Sequence, residues 1–329
     1  MTNSAERSAS ASAATRRVPD FFIVGHPKCG TTALHEMLKR HPQVYMSEPK
    51  EPRFLASDLR YRFEIPATTM IPQTLDEYLS LFADAKPEQG ADEASPTYLS
   101  SQTAARSTAE LQPAARIVAI LREPASFLHS LHLQFVQAHV ETETDLRKAL
   151  SLEQARRNGQ HIPARSHRPQ VLMYSEHVRY ADQLRRYHSV FPAEQVLVLI
   201  YDDFRSDNEA TLRRVLRFLE VDDAAASGVR DANPTVRVRT PRLHGLVHAI
   251  SVGDGPASRA FRASTRAIAP RRLTRESAVA IRDRLFFTTP KPPDERLMRE
   301  LRDHYRPEVI ALSEYLGRDL VALWGYDDD

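Results

Sequence analysis

Phe21-Phe22-Ile23-Val24-Gly25-His26-Pro27-Lys28-Cys29-Gly30-Thr31-Thr32-Ala33-Leu34 is the stretch on which the reading of the fold turns. Phe21 to Gly25 are apolar or small without alternation, the pattern of a parallel strand covered on both faces. Gly25 and Gly30 flank a turn that offers backbone N–H groups, and Thr31 or Thr32 opens a helix whose positive end favours an anion. The stretch therefore reads as a phosphate cradle. A Walker A loop needs Gly, four residues, Gly, then Lys and Ser/Thr. Gly25 and Gly30 meet that spacing, but Thr31 stands where the lysine belongs, and the loop's only lysine, Lys28, lies inside it. The cradle keeps a phosphate-binding backbone and places its cation differently from an ATPase.

Outward from the cradle, Ala33, Leu34, Met37 and Leu38 carry a helix from Thr31 to Arg40, ended by His41-Pro42. Glu48-Pro49-Lys50-Glu51-Pro52-Arg53-Phe54-Leu55 is irregular, and its prolines fix a loop without consuming the charges in helix pairs. A helix around Leu75 to Phe82 is introduced by Thr74 and Asp76, and Asp92 to Tyr98 leaves a short strand. Arg116 to Leu121 reads as a second buried strand that empties into Arg122-Glu123-Pro124, with Pro124 suited to the first position of a helix. Leu128, Leu131 and Phe135 mark that helix's inner face. From Glu141 to Gln170 the chain is polar, with one helix and a basic loop that includes Arg156 and Arg165; this loop and the segment around Arg271-Arg272 read as solvated faces.

Tyr180 to Tyr187 resumes as helix, and Val196 to Tyr201 is the third strong strand. Ser206 with Glu209 has the capping-box pattern before Leu212, Val215, Leu216 and Leu219. A last helix, Asp294 to Leu316, is expected to break at Pro307 and to stop at Gly317. Strands alternating with helices predict an α/β fold, a parallel β-sheet flanked by helices, with ligands beyond the carboxyl ends of the strands. The Lys28 and Arg122 loops both leave such ends. Residues 1–18 read as a disordered tail, 19–326 as a single domain, and 327–329 as an acidic end.

Bulk properties narrow the function classes. The chain has 329 residues, 42% hydrophobic and 27% charged, with a formal net charge of +2 that gives no ground for nucleic-acid binding. No apolar run is long enough for a membrane span. A single cysteine excludes an internal disulfide and suits a reducing cytoplasm, while the Arg and Ala bias suggests a bacterial source. Cys29 reads as a small loop residue because no motif gives it a base. His129 and His132 share a helix face, but His35-Glu36 lacks the second histidine of a zinc-protease pattern, so no metal is expected. Arg122 offers a planar multi-donor fork, and Ser130, eight residues on, offers a hydroxyl. Such a pair suits a second phosphate, as a nucleotide phosphorylated at both its 5′ and 3′ positions would require.

These residues carry a resemblance to sulfotransferases that use 3′-phosphoadenosine 5′-phosphosulfate (PAPS). Pro27-Lys28-Cys29-Gly30-Thr31-Thr32 is similar to the family's 5′-phosphosulfate loop, and Leu121-Arg122-Glu123-Pro124 with Ser130 is similar to its 3′-phosphate motif. Lys50-Glu51-Pro52-Arg53-Phe54, Glu93-Ala94-Ser95-Pro96-Thr97-Tyr98, Leu197 to Phe204 and Tyr315 to Leu320 resemble bacterial members and the heparan-type carbohydrate branch. The resemblance runs from about Asp20 to Trp324.

It implies a P-loop-like nucleotide-binding fold and two catalytic residues, with Lys28 at the bridging oxygen and Glu51 as the base. PAPS, leaving as the bisphosphate PAP, would be held by Lys28, Cys29, Gly30, Thr31, Thr32, Arg122 and Ser130, with Arg237 and Arg239 neighbours of the adenine. Lys50, Arg53, Ser95 and Tyr98 would meet a small-molecule or glycan acceptor. Ala94, Arg53 and Leu55-Ala56 replace a Lys, a His and a Phe-Asp pair of the heparan-type enzymes, which puts a heparan-like acceptor in question. Two other readings stand beside this one: an ATP-dependent small-molecule kinase with an altered loop, and a non-catalytic nucleotide-binding protein. The sequence leaves oligomeric state open.

Overall fold

The structure, a computed structural model, describes residues 17–59, 71–163, 166, 169–224, 237–238, 287–288 and 292–327. Arg165, Arg239, Arg271-Arg272 and nearly all of the expected N-terminal tail lie outside the described residues. Five parallel strands form the central sheet in the order β2-β3-β1-β4-β5, where β1 is Phe21–Gly25, β2 Val44–Met46, β3 Gly90–Ala94, β4 Arg116–Leu121 and β5 Val196–Ile200. Phe21 pairs with Asp92 on one side and Arg116 on the other, so β1 is the middle strand. Its five residues are all buried, as their unbroken apolar run requires.

The helices that position the site follow the strands. They are α1 (Thr31–Leu38), α2 (Leu75–Ser80), α3 (Ala104–Leu111), α4 (Pro124–Gln137), α5 (Leu146–Ser151), α6 (Glu153–Arg157), α7 (Tyr174–His177), α8 (Tyr180–His188), α9 (Tyr201–Ser206), α10 (Asn208–Phe218), α11 (Glu295–Leu316) and α12 (Leu320–Trp324). From β1 the chain runs outward through α1 to β2, whereas from β3 it crosses past β1 to β4. The direction of winding reverses at β1, and right-handed crossovers in opposite directions put α1 and α3 on opposite faces. Such a reversal opens a crevice at the carboxyl ends of the strands.

The described residues fall into two compact units, one drawn from Met1–Arg122 with Tyr180–Asn233, the other from Glu123–Arg179 with Pro234–Asp329. The first holds the five-stranded sheet, and its core contains Phe22, Ile23, Ile117, Val118, Ala119 and Ile120 with no exposed surface. In the second, α4 packs on α11 and β6 (Arg237–Val238) pairs antiparallel with β7 (Phe287–Thr288). At the start of α4 the Glu123 carboxylate accepts from the amides of Ala125 and Ser126.

Three local expectations are corrected. Pro307 does not break α11, which runs unbroken from Glu295 to Leu316 and closes on Gly317 at φ 61°. Pro307 and Asp303, the residue whose carbonyl loses its partner, are both exposed, so the ring projects outward and water can replace the missing donor. Asp207, not Ser206, caps α10 by accepting from Ala210 N, because Ser206 Oγ is spent on the Asp203 carbonyl at 2.9 Å. Arg156, read with the basic loop, is 2% exposed and grips Glu141 with both terminal guanidinium nitrogens, each at 2.8 Å. Among the described residues, no helix is long and apolar enough to cross a membrane.

Candidate active site

All five strands of the sheet run the same way, so the residues that follow them share one edge. Lys28 follows β1, Lys50 to Arg53 follow β2, Ser95 and Tyr98 follow β3, Arg122 follows β4 and Tyr201 follows β5. The alternation that was legible in the chain thus delivers dispersed residues to one side of the first unit.

The loop after β1 is shaped by three residues of positive φ: Gly25 at 146°, Lys28 at 68° and Gly30 at 90°. A Cβ on Gly25 would lie 2.6 Å from the Ile120 carbonyl oxygen, and one on Gly30 would lie 3.1 Å from the Phe204 ring and 3.2 Å from that of Tyr201. Both positions require glycine, for backbone conformation and for space. Gly30 is also the N-cap of α1, so no side chain caps that helix and no acidic residue stands in its first turn. Its free amides and positive dipole end are available to an anion.

Arg122 is drawn to this loop. Its Nη1 donates to the Lys28 carbonyl at 3.0 Å, its guanidinium lies 4.9 Å from the Tyr201 ring centroid, and its own carbonyl accepts from Tyr180 Oη at 2.9 Å. Lys28, half-buried, is held below the ordinary lysine pKa first by burial and then by the Arg122 charge. Two cations set beside an uncapped helix end repel one another, and a phosphorylated ligand would relieve that repulsion. The residues present therefore fit a phosphate or phosphosulfate group. Thr31 is buried and Thr32 half-buried at the same helix start. The Cys29 thiol is wholly buried and pushed up to about 12, chiefly by burial, which leaves its backbone and not its sulfur for ligand contact.

A second cluster follows β2. Glu51 and Arg53 take φ of 60° and 53°, a left-handed backbone that folds the loop back on itself. The Glu51 carboxylate accepts from Lys50 Nζ at 3.0 Å through one oxygen and from Arg53 Nη2 through the other. Burial opposes its charge, but Arg53 and Lys50 outweigh burial and hold the carboxyl below the usual carboxylate range. Glu51 is thus a half-buried, ionised carboxylate with a fixed orientation.

Ser95 and Tyr98 are placed differently from the acceptor-binding role expected of them. Both are fully buried; Ser95 Oγ accepts from Arg53 N at 3.0 Å and Tyr98 Oη accepts from Leu55 N at 2.9 Å. They sit beneath the Glu51 loop and support its backbone. Lys50 and Arg53 are engaged with Glu51. Ser130 belongs to the second unit, buried on α4. Arg237 lies in β6, whose backbone runs beside α4.

Sequence reasoning did not reach the Tyr201 and Phe204 floor under Gly30, the Tyr180 lock on Arg122, or the buried Glu93. Tyr201 and Phe204 carry no local signal of proximity to Gly30, since only the sheet order brings β5 beside β4. Among the described residues, no group of three His, Cys, Asp or Glu is placed to hold a metal ion.

What the fold and this edge define together is an α/β protein of the phosphate-loop kind whose cation has left the ATPase position. Comparison with known proteins makes the class specific: the chain belongs to the sulfotransferase family, whose model matches residues 19–225, more than half of its length. It is similar to mouse carbohydrate sulfotransferase 15, 26% identical over 264 residues, which cover 63% of this chain and 44% of that protein. It is also similar to human bifunctional heparan sulfate N-deacetylase/N-sulfotransferase 2, 29% identical over 213 residues, covering 62% of this chain and 22% of that one. The chain therefore spans less than half the length of these curated relatives. Among solved structures, the sulfotransferase from Alicyclobacillus acidocaldarius superposes with a TM-score of 0.65 at 25% identity, covering 94% of this chain and 99% of the other.

Proposed function

We propose that the protein transfers the sulfuryl group of PAPS to a hydroxyl, with an amine less favoured, of a carbohydrate or secondary metabolite, and releases PAP. The observation that carries this reading is the joining of Arg122 to the Lys28 carbonyl at the uncapped start of α1. In this reading the Gly30, Thr31 and Thr32 amides and hydroxyls hold the 5′-phosphate, with the Cys29 backbone beside them. Lys28 neutralises charge that gathers on the bridging oxygen as the sulfur–oxygen bond to that phosphate breaks. Arg122 takes the 3′-phosphate. Ser130, Arg237 and Arg239 are carried on the resemblance alone.

Glu51 receives the proton of the acceptor hydroxyl while its oxygen forms the new bond to sulfur, so charge is conserved and PAP departs with the electron pair. A positioned base of this kind contributes about 10²–10⁴-fold to rate. The names of the curated relatives support a carbohydrate acceptor. The free, buried Cys29 is compatible with action in a reducing cytoplasm. The kinase reading loses ground to the family membership and to Thr31 at the Walker lysine position.

Ligand-induced thermal stabilisation tests the reading. PAP is expected to raise the melting temperature and ADP with Mg²⁺ to leave it unchanged; selective stabilisation by ADP overturns it. Arg122→Ala should lose most of the PAP effect. Glu51→Gln should keep the PAP effect and remove transfer of labelled sulfate from PAPS in an acceptor screen.

A further inference from the structure

We infer that Glu93 is a positioning residue for Glu51, clamping from beneath, through Tyr78, Tyr98 and Ser95, the loop that carries it. The importance of Glu51 rests on the sulfuryl-transfer reading above; the clamp itself rests on contacts within the first unit.

Glu93 is a wholly buried carboxyl in the interior of β3, between the equally buried Asp92 and Ala94. Its Oε2 accepts from Tyr78 Oη at 2.5 Å and from Tyr98 Oη at 3.1 Å. Tyr98 Oη in turn accepts from Leu55 N at 2.9 Å, and Ser95 Oγ from Arg53 N at 3.0 Å. Phe54, between those two amides in sequence, stacks on Tyr78 with ring centroids 4.7 Å apart and planes at 13°. Tyr187 Oη donates to the Tyr98 carbonyl at 3.1 Å and fixes the platform from α8. The Arg53 and Leu55 amides beyond Glu51 are therefore tied to Ser95, two residues after Glu93, and to Tyr98, which meets the Glu93 carboxylate.

The clamp answers a specific need. Glu51 and Arg53 occupy a backbone region that non-glycine residues hold only when their surroundings over-determine it. Without the two tethered amides, the loop would relax, and the Lys50 and Arg53 contacts that orient the Glu51 carboxylate would loosen with it. A buried carboxylate is an expensive way to fill a strand interior, and an apolar residue there would serve packing better. As an acceptor for two phenols at once, however, a carboxyl group offers lone pairs that an apolar residue lacks.

Three readouts on the full chain decide the matter in wild type, Glu93→Gln and Tyr98→Phe: ¹³C-detected titration of the Glu51 carboxylate, hydrogen exchange at the Arg53 and Leu55 amides, and stabilisation by PAP. In Tyr98→Phe the Leu55 amide should exchange faster by about fivefold or more, the worth of one lost hydrogen bond, and the Glu51 pKa should rise toward the ordinary carboxylate value. Glu93→Gln should move both in the same direction by less. Folded variants in which Glu51 titrates, and Arg53 and Leu55 exchange, as in wild type overturn the proposal. Should either variant fail to fold, Ser95→Ala removes the Arg53 tether while leaving the carboxylate in place, and the same exchange and titration outcomes decide. Absence of PAP stabilisation in wild type counts against the sulfuryl-transfer reading, while the titration and exchange still decide the clamp.

Discussion

At Gly30 a single hydrogen atom in place of a side chain lets α1 begin against the Tyr201 and Phe204 rings. Gly30→Ala would bring a methyl within 3.1–3.2 Å of both rings at a φ of 90°. The expected outcome is a loss of about 1–3 kcal/mol of stability in denaturant unfolding, with weaker PAP stabilisation at saturating ligand. Arg122 acts on its neighbour through charge as well as through its hydrogen bond. Because burial is the larger cause of the depressed Lys28 pKa and Arg122 the second, Arg122→Met should raise the Lys28 pKa only part of the way back to an ordinary lysine. Titration of the Lys28 side chain by NMR checks this, and no change would remove Arg122 from the electrostatics of the loop. The glycines and the displaced lysine were legible in sequence because their spacing is local. The ion pairs of Glu51 were not, since they depend on two left-handed residues that nothing in Pro52's neighbourhood announces.

Among the elements, legibility followed composition. β1, β4 and β5 are unbroken apolar runs and could be read directly, as could the helix start at Thr74, whose reciprocal capping box with Glu77 emerges only in the structure. β2 escaped notice because three residues are too few to carry a pattern. β3 was read only as the short strand that Asp92 to Tyr98 leaves, with Asp92 and Glu93 taken as its exit, because their charge hides that they stand in its buried interior. That anomaly predicts a pH dependence. Burial pushes Glu93 up to about 7 against the opposing hydrogen bonds of Ser95, Tyr78 and Tyr98, with the Glu51 charge raising it further. Asp92, the preceding residue of the strand, and Tyr187 of α8 are further ionisable groups that interact with it. A carboxyl with a folded pKa above its unfolded value contributes stability that is present at low pH and is lost as pH rises through the folded value. The gap between an ordinary 4.5 and about 7 corresponds to about 3 kcal/mol. Melting temperatures from pH 5 to pH 8 should therefore fall more steeply in wild type than in Glu93→Gln. Parallel curves would mean that Glu93 titrates normally.

Across the whole molecule, alternation of strands and helices was enough to announce the sheet and its flanking helices, but not which strands touch. The placing of β3 between β1 and β2, and with it the assembly of the Glu51 platform, is a property of the folded chain. The same holds for the second compact unit, where Arg156 and Glu141 form a two-pronged pair with side chains 1% and 0% exposed. In sequence Arg156 was one cation among several in a basic loop; burial separates it from pairs such as Arg213 and Glu209, which are half exposed and worth at most about 1 kcal/mol. Glu141 also accepts from the amides of Thr142 and Glu143 and from Tyr174 Oη, so its carboxylate organises a turn as well as a pair. Arg156→Met would leave that carboxylate buried without its cation, at an expected loss of about 3–5 kcal/mol. Exchange at the Thr142 and Glu143 amides should rise with it. Replacing both partners, as Arg156→Met with Glu141→Gln, should recover a large part of the loss because no uncompensated charge remains. Denaturant midpoints of the single and double variants measure the difference. A single variant within 1 kcal/mol of wild type would show that water reaches the pair and that the second unit does not depend on it.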